Sequence, residues 1–506
     1  MSTEVIAAPQ PAGRAAEVSP SILKTLAGLV FAVGFGFAAF GWGVAQGVRG
    51  TDLTLLALAL LTLVVGFLPL ILDSGRAPER RNVIITMVGI LYGVQFSIPV
   101  FFHYIPAVGP TDPPGMSFVD LMPDDVARAQ LLGLIGLLAI YAGNAIPVRR
   151  VVSQVLPPAR HEWTERGTLA AALILIPVGW GIYLLQYFGL YPSWLGSGLV
   201  GGFTDLTLVA PALLTAAFLR YRSRLTLLML IIVPITSGFN FLSSSKNLIL
   251  MPWAMLFLTY IVYKRKVQLR WFVAGGVALV LLFPATAFVR DVVLEGNTRT
   301  LAQVMQDPGR ALRSVSGYVG GGTFGEYVDE GIARTTSRVD ALGHPAVIIR
   351  DTPSKVPYQD GRTIGLIFLS YIPRVVWPEK PIIGIGLWIQ EKYNNSPIFV
   401  QSHLGPSWIG EFYLNFGTPG ILLGMMWLGL IFRTWHEILT GRGSTIPLIV
   451  AEVVVIKDVI LKLTGGLVAV VNGPVTGVIP FLGVHLLLRF LGATQRVDGA
   501  EGEETR

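Results

Sequence analysis

The chain has 506 residues, 52% hydrophobic and 14% charged, with a mean hydropathy of +0.62 and a net charge of +7. A soluble domain carries about a quarter charged residues, so the composition excludes an ordinary soluble fold. Basic residues confined to short loops between apolar runs set orientation and do not indicate nucleic acid, and the lack of cysteine excludes disulfides, thiolate metal sites and a cysteine nucleophile.

In chain order, residues 1–21 are rich in Ala, Pro and Glu, hold a single Arg14 and have no apolar core. They read as a disordered cytoplasmic tail, not a cleavable leader. Apolar runs of spanning length then follow at about 22–44, 52–72, 83–105, 126–147, 168–190, 199–219, 225–241, 246–263 and 270–290, and again at 406–432, 445–463 and 467–490. The fold class is therefore all-α: a polytopic transmembrane bundle of about 12 spans. Alternate loops carry the positive charge, as in Arg76, Arg80 and Arg81, in Arg149 and Arg150, in Arg220, Arg222 and Arg224, and in Lys264, Arg265 and Lys266. The positive-inside rule makes those loops cytoplasmic, with both termini inside, residues 491–506 a second tail, and the segment 291–405 outside.

That segment divides the chain into N-terminal helices (22–290), a long extracytoplasmic loop (291–405) and C-terminal helices (406–490). A connection of more than 100 residues inside a compact bundle is far beyond ordinary loop length and points to function. It is partly helical, with a helix predicted from about Glu330 to Arg350. The apolar stretch from Thr363 to Trp377, too short to span comfortably and broken by Pro373 and Pro378, predicts a re-entrant or interfacial hairpin.

Eleven Lys or Arg and eleven Asp or Glu lie between Asp291 and Gly405, and most read as a solvated surface. Four groups stand apart. Arg334 and Arg338, four residues apart and close to Asp340, would stack two guanidinium groups on one helix face, an arrangement that a phosphate relieves and that Asp340 or Glu330 could also neutralise. Arg362 and Arg374 bracket the apolar hairpin, with Lys380 after a Pro-stiffened turn, either as headgroup-depth cations or as snorkelling anchors. His403 and Glu411 lie just before and just inside a span. Either could serve as general base, and the plainer readings are an interfacial hydrogen bond for His403 and a helix N-terminal charge for Glu411. Arg290 ends its span opposite Lys246 and Ser243 to Ser245, again as a candidate anion contact or a plain anchor. In a later span, Asp458 and Lys462 are spaced to pair at i, i+4, so with Glu452 and Lys457 they predict a structural ion-pair network. Trp377, Trp408 and Tyr413 belong to an aromatic group that suits either a membrane-interface belt or stacking on sugar faces. No His-x-x-x-His, Asp-x-Asp, Walker or Gly-x-Ser-x-Gly element occurs, so a metal site, nucleotide hydrolysis and a serine esterase have no motif.

From Arg362 to Gly417 the chain resembles the O-antigen polymerases, the integral-membrane oligosaccharide repeat-unit polymerases of bacteria. The residues that carry the likeness are Gly361-Arg-Thr, Ile372-Pro-Arg-Val-Val-Trp-Pro-Glu-Lys-Pro, Leu387-Trp-Ile-Gln-Glu-Lys-Tyr and Ile409-Gly-Glu-Phe-Tyr-Leu-Asn-Phe-Gly, with Ser337-Arg-Val-Asp upstream. The resemblance implies a GT-C-like glycosyltransferase of the bacterial inner membrane, working at the periplasmic face without metal or cofactor. Its partners would be an undecaprenyl-diphosphate-linked glycan donor, a similar acceptor and a chain-length regulator. Arg290, Arg334, Arg338, Arg362, Arg374 and Lys380 would bind the diphosphate, with His403 or Glu411 taking the acceptor proton. A ligase using the same donor, or a transporter or flippase of lipid-linked sugars, are the competing expectations.

Overall fold

The computed structural model describes residues 36–104, 121–156, 161–187, 206–242, 246–268, 341–372, 385–394, 405–441 and 444–496, with a few single positions between them. Arg290, Arg334, Arg338, Asp340, Arg374, Lys380 and His403 lie outside the described residues.

The described chain is mostly helical. In order it forms α1 (Gly36–Ala45), α2 (Thr51–Ser74), α3 (Val83–Tyr104), α4 (Pro123–Asn144), α5 (Arg149–Val155), β1 (His161–Trp163), α6 (Glu165–Tyr187), α7 (Leu206–Tyr221), α8 (Arg224–Met229), α9 (Ile232–Leu242) and α10 (Lys246–Lys264). There follow α11 (Gly343–Asp351), α12 (Arg362–Ser370), α13 (Ile385–Asn394), α14 (Ser407–Thr440), α15 (Ile446–Leu461), α16 (Leu467–Phe490) and β2 (Thr494–Arg496).

Six described helices, α2, α3, α4, α6, α14 and α16, are long and apolar enough to cross a membrane. The expected dozen is thus corrected in detail. The run at 225–241 breaks into α8 and α9, each too short to span, and that at 445–463 becomes the 16-residue helix α15, while the run at 199–219 is described only from Leu206 onward, as α7. At 1.5 Å per residue, sixteen residues cover only about 24 Å. The run at 270–290 falls mostly outside the described residues. Large apolar side chains such as Leu72, Leu173 and Leu423 face outward, 52%, 65% and 61% exposed, as expected of helices whose solvent is lipid.

Close helix approach and a few interhelical hydrogen bonds hold the bundle, since lipid offers no hydrophobic drive between spans. α2 and α3 meet at glycines. A Cβ on Gly66 would lie 2.6 Å from the Gly89 carbonyl oxygen, and one on Gly89 would lie 2.5 Å from that of Gly66. Ser97 Oγ donates to the Ala59 carbonyl (2.7 Å), Gln130 Nε2 to Thr62 Oγ1 (2.9 Å) and the Tyr141 hydroxyl to the Val65 carbonyl (3.0 Å), joining α2, α3 and α4. α14 lies along α4, where Gly143 and Gly429 each face the other helix's backbone.

α15 is buried along nearly its whole length and packs against α7, α10, α14 and α16. It carries the expected ion pairs with a correction to one of them. Asp458 pairs with its neighbour Lys457 (2.9 Å) and not with Lys462. Lys462 occupies the C-cap at φ −109°, ψ 13°, outside the helix, so its side chain no longer lies one turn beyond Asp458. Glu452 pairs instead with Arg265 after α10, at 2.5 Å.

At the basic end, β1 and β2 pair antiparallel with His161 opposite Arg496. Trp163 is fully buried, donates from Nε1 to His485 Nδ1 (2.9 Å) and accepts from the Tyr221 hydroxyl at its carbonyl. Glu162 Oε1 accepts the backbone N–H groups of Trp163 and Ile446, both at 2.9 Å, which ties this clasp to the start of α15. Burial pushes the Glu162 carboxyl up from its ordinary value, against those two bonds and the Arg220 charge.

The long segment folds back onto the bundle where it is described. α11 begins at Gly343, packs against α4 and α14, and runs to Asp351, so the helix expected from Glu330 is described only over its second half. Asp351 ends α11 where the helix dipole disfavours an anion, yet it is held by Arg350 Nε (2.8 Å), Arg350 Nη2 (3.0 Å) and Lys355 Nζ (3.0 Å). Burial pushes its carboxyl up, but those bonds and charges outweigh burial and hold it below the ordinary 3.8. A depressed carboxylate stabilises the fold above its unfolded value and loses that contribution as pH falls through the folded one. Asp351→Asn is therefore expected to cost about 2 kcal/mol at neutral pH. In thermal melts the gap to wild type should close as the pH drops below 3.8.

Candidate functional site

The site forms at the end of the bundle opposite the basic clasp, where α12, the start of α14 and the start of α16 converge. α14 is not one straight helix. Gly417 sits at φ 65°, ψ −151°, and Pro419 follows it, a backbone region essentially reserved for glycine. The bend brings the Phe412 carbonyl and ring against Gly420 and Gly424, positions that a continuous helix would hold about 12 to 18 Å away. The apolar stretch of spanning length is therefore the part after the bend. The expected 406–432 span is corrected accordingly: its first turns form a separate short helix, and Glu411 belongs to that piece.

Glu411 has no exposed surface. Its Oε2 accepts the N–H of Leu467, the first residue of α16, at 2.6 Å. It thus caps a neighbouring helix, where the dipole favours an anion, and is not merely a charge at the start of its own. Gly466 permits the approach, because a Cβ there would lie 3.1 Å from Glu411 Oε2. The other carboxylate oxygen, Oε1, is buried without a hydrogen-bond partner among the described residues. Asn415, one turn after Glu411, donates from Nδ2 to Thr363 Oγ1 (2.6 Å) and to the Glu411 carbonyl (2.7 Å), while its Oδ1 accepts the N–H of Gly361 (3.0 Å). Further along α16, Asn472 Nδ2 donates to the Ile367 carbonyl (3.0 Å) and to the Ser370 hydroxyl. α12 is consequently laced to both α14 and α16 by buried polar groups, which cost free energy wherever they are left unpaired.

The sequence-derived site residues fare differently. Glu411 stands at the centre, but it is sealed, and the geometry makes it a joint that positions α16. Arg362 occupies the first position of α12 and is exposed, without an ion pair among the described residues. A cation there opposes the helix dipole, so its charge is open to an external anion. Trp377 is 37% exposed beside Val376 at 74%. Trp408 and Tyr413 are corrected as sugar platforms. Trp408 is 1% exposed, donates from Nε1 to the Lys462 carbonyl (2.9 Å) and packs on Phe432. Tyr413 is 3% exposed and lies edge-on to Tyr358 at 6.3 Å.

Sequence reasoning passed over Asn415, Asn472 and Arg128. Asn415 had a signal in its i, i+4 spacing from Glu411, and Asn472 in being an amide within an apolar run. Arg128, near the start of α4, donates from Nη2 to the Tyr413 hydroxyl (3.1 Å) and lines an open groove of about 550 Å³ with Thr51, Thr54 and Asp124. As the one base beside Asp124 and Asp125 on the first turns of a span, it gave no pattern to single it out. Among the described residues no group of three His, Asp or Glu side chains is placed to hold a metal ion.

No curated protein and no solved structure matches the chain. A family model described as a domain of unknown function (DUF8712) matches residues 85–437, from α3 through α14, and so takes in Glu411, Asn415 and the whole long segment. Because that match covers well over half of the 506 residues, the chain belongs to the DUF8712 family.

Proposed function

We propose that this chain is an inner-membrane glycosyltransferase that polymerises undecaprenyl-diphosphate-linked oligosaccharide repeat units at the periplasmic face. One observation carries the reading. The two stretches richest in the resemblance, Gly361-Arg-Thr and Ile409 to Gly417, lie some fifty residues apart in sequence and interlock through Asn415, which accepts from the Gly361 N–H and donates to the Thr363 hydroxyl. This joint holds the exposed Arg362 at the edge of the bundle. α12 packs along the first turns of α16 with Phe368 73% exposed, as a membrane-dipping hairpin requires.

In this reading an acceptor hydroxyl attacks the anomeric carbon of the donor glycan. The bond from that carbon to the diphosphate oxygen breaks, and the lipid diphosphate leaves. Arg362, Arg374 and Lys380, with Arg290, Arg334 and Arg338, neutralise the departing charge, and Asp340 orients the arginines. Preorganised donors of this kind are each worth about 3 kcal/mol of barrier. Since Glu411 is sealed, His403 is the better acceptor for the hydroxyl proton and Glu411 the positioning residue.

The test is an assay with purified protein and lipid-diphosphate-linked oligosaccharide as donor and acceptor. Wild type is expected to yield a ladder of repeats, and Arg374→Ala none, at unchanged protein level and melting temperature. A full ladder from Arg374→Ala would sink the assignment, and a single transfer by wild type would mark a ligase.

A further inference from the structure

At the basic end, the last turn of α2, the first turn of α3 and the residues after α10 surround a recess of about 50 Å³. Its wall carries three cations, Arg81, Arg265 and Lys266, and one carboxylate, Asp73. These charges do not cancel locally. Asp73 already accepts from Arg76 Nη1 and from Thr86 Oγ1, each at 3.1 Å, and Arg265 is matched by Glu452 at 2.5 Å. Arg81 directs Nε and Nη1 at two neutral carbonyls, those of Arg76 and Arg265, both at 3.1 Å. The Lys266 side chain makes no ion pair among the described residues.

Two positive charges are therefore left facing one half-buried recess, where like charges repel more strongly than in water. The two carbonyl bonds fix the plane of the Arg81 guanidinium and leave its second terminal nitrogen for an anion. Arg265, at φ 50° just past α10, turns its carbonyl to Arg81 while its side chain reaches Glu452, so the wall is built by the fold and not by mobile surface chains. The rest of the lining is mixed, with Leu70, Val83 and Val267 apolar and the Ser74 and Thr86 hydroxyls polar. An occupant that is anionic at one end and apolar at the other matches this surface, and basic recesses between membrane helices bind acidic lipid headgroups.

We propose that the recess binds the phosphate headgroup of an anionic phospholipid, with Arg81 and Lys266 as its cationic contacts. Inorganic phosphate shares the headgroup chemistry but gains nothing from the apolar wall.

Purified full-length protein in neutral detergent is titrated with phosphatidylglycerol, phosphatidylcholine or inorganic phosphate, and binding is read by native mass spectrometry and thermal unfolding. Phosphatidylglycerol is expected to be retained and to raise the unfolding temperature, while the other two at equal concentration do not. Affinity for it should fall about fivefold in Lys266→Gln and further in Arg81→Gln/Lys266→Gln. The single variant suffices if the double one does not fold, because the Lys266 side chain makes no ion pair among the described residues. Equal retention of phosphatidylcholine, an equal shift with inorganic phosphate, or unchanged phosphatidylglycerol affinity in Lys266→Gln overturns the proposal.

Discussion

Glu411→Ala is expected to lower the unfolding free energy by about 3 kcal/mol and to abolish polymer synthesis. The substitution leaves the Leu467 N–H, 56 positions away, without its acceptor in a fully buried place. An orphaned buried donor costs about 1 to 3 kcal/mol, and more when the lost partner was charged. Glu411→Gln separates positioning from chemistry, since the amide oxygen can still accept the Leu467 N–H while the side chain can no longer take a proton. If Glu411 positions α16, the Gln variant should melt within about 1 kcal/mol of wild type and keep most of its activity. A folded Gln variant with no product would instead make Glu411 the base. Detergent melts of both variants beside the ladder assay decide between the two.

Gly417→Ala should cost a similar amount, about 2 to 3 kcal/mol, by a different route. The φ of 65° with ψ of −151° suits no side chain, and the new Cβ would meet the Tyr358 hydroxyl at 3.0 Å. Adding Tyr358→Phe removes the contact but not the backbone penalty, so the double variant should recover only part of the loss. Full recovery would show that the hydroxyl contact, and not the backbone, dominates. Because the bend aims the first turns of α14 at α16, the single variant should also misplace Glu411 and cut activity more than stability alone explains.

The physics that made some of this legible is plain from particular elements. α2, α3, α4, α6 and α16 follow from unbroken apolar runs, and α12 follows from a run cut short before Pro373. A carboxylate in apolar surroundings marked Glu411. Its partner was hidden, because a backbone N–H carries no signature in the residue that bears it. The bend at Gly417 was hidden for another reason: Gly-Thr-Pro-Gly is a turn signal, but apolar residues on both sides let it pass as the interior of a span. The expected Asp458–Lys462 pair fails because i, i+4 spacing holds only while the helix continues, and it stops before Lys462. Trp408 and Tyr413 look like an interface belt in sequence, and only the packing of α14 on its neighbours turns them inward.

The pairing of β1 with β2 has a bearing on how the protein is made. Trp163 and His485, 322 positions apart, share a hydrogen bond, and β1 has no strand partner until Thr494 to Arg496 have emerged. Through most of translation the helices already threaded into the bilayer thus present an unfinished edge and an unfilled aromatic socket on their basic side. The clasp therefore closes late, only once the β2 segment has followed α16 out of the ribosome.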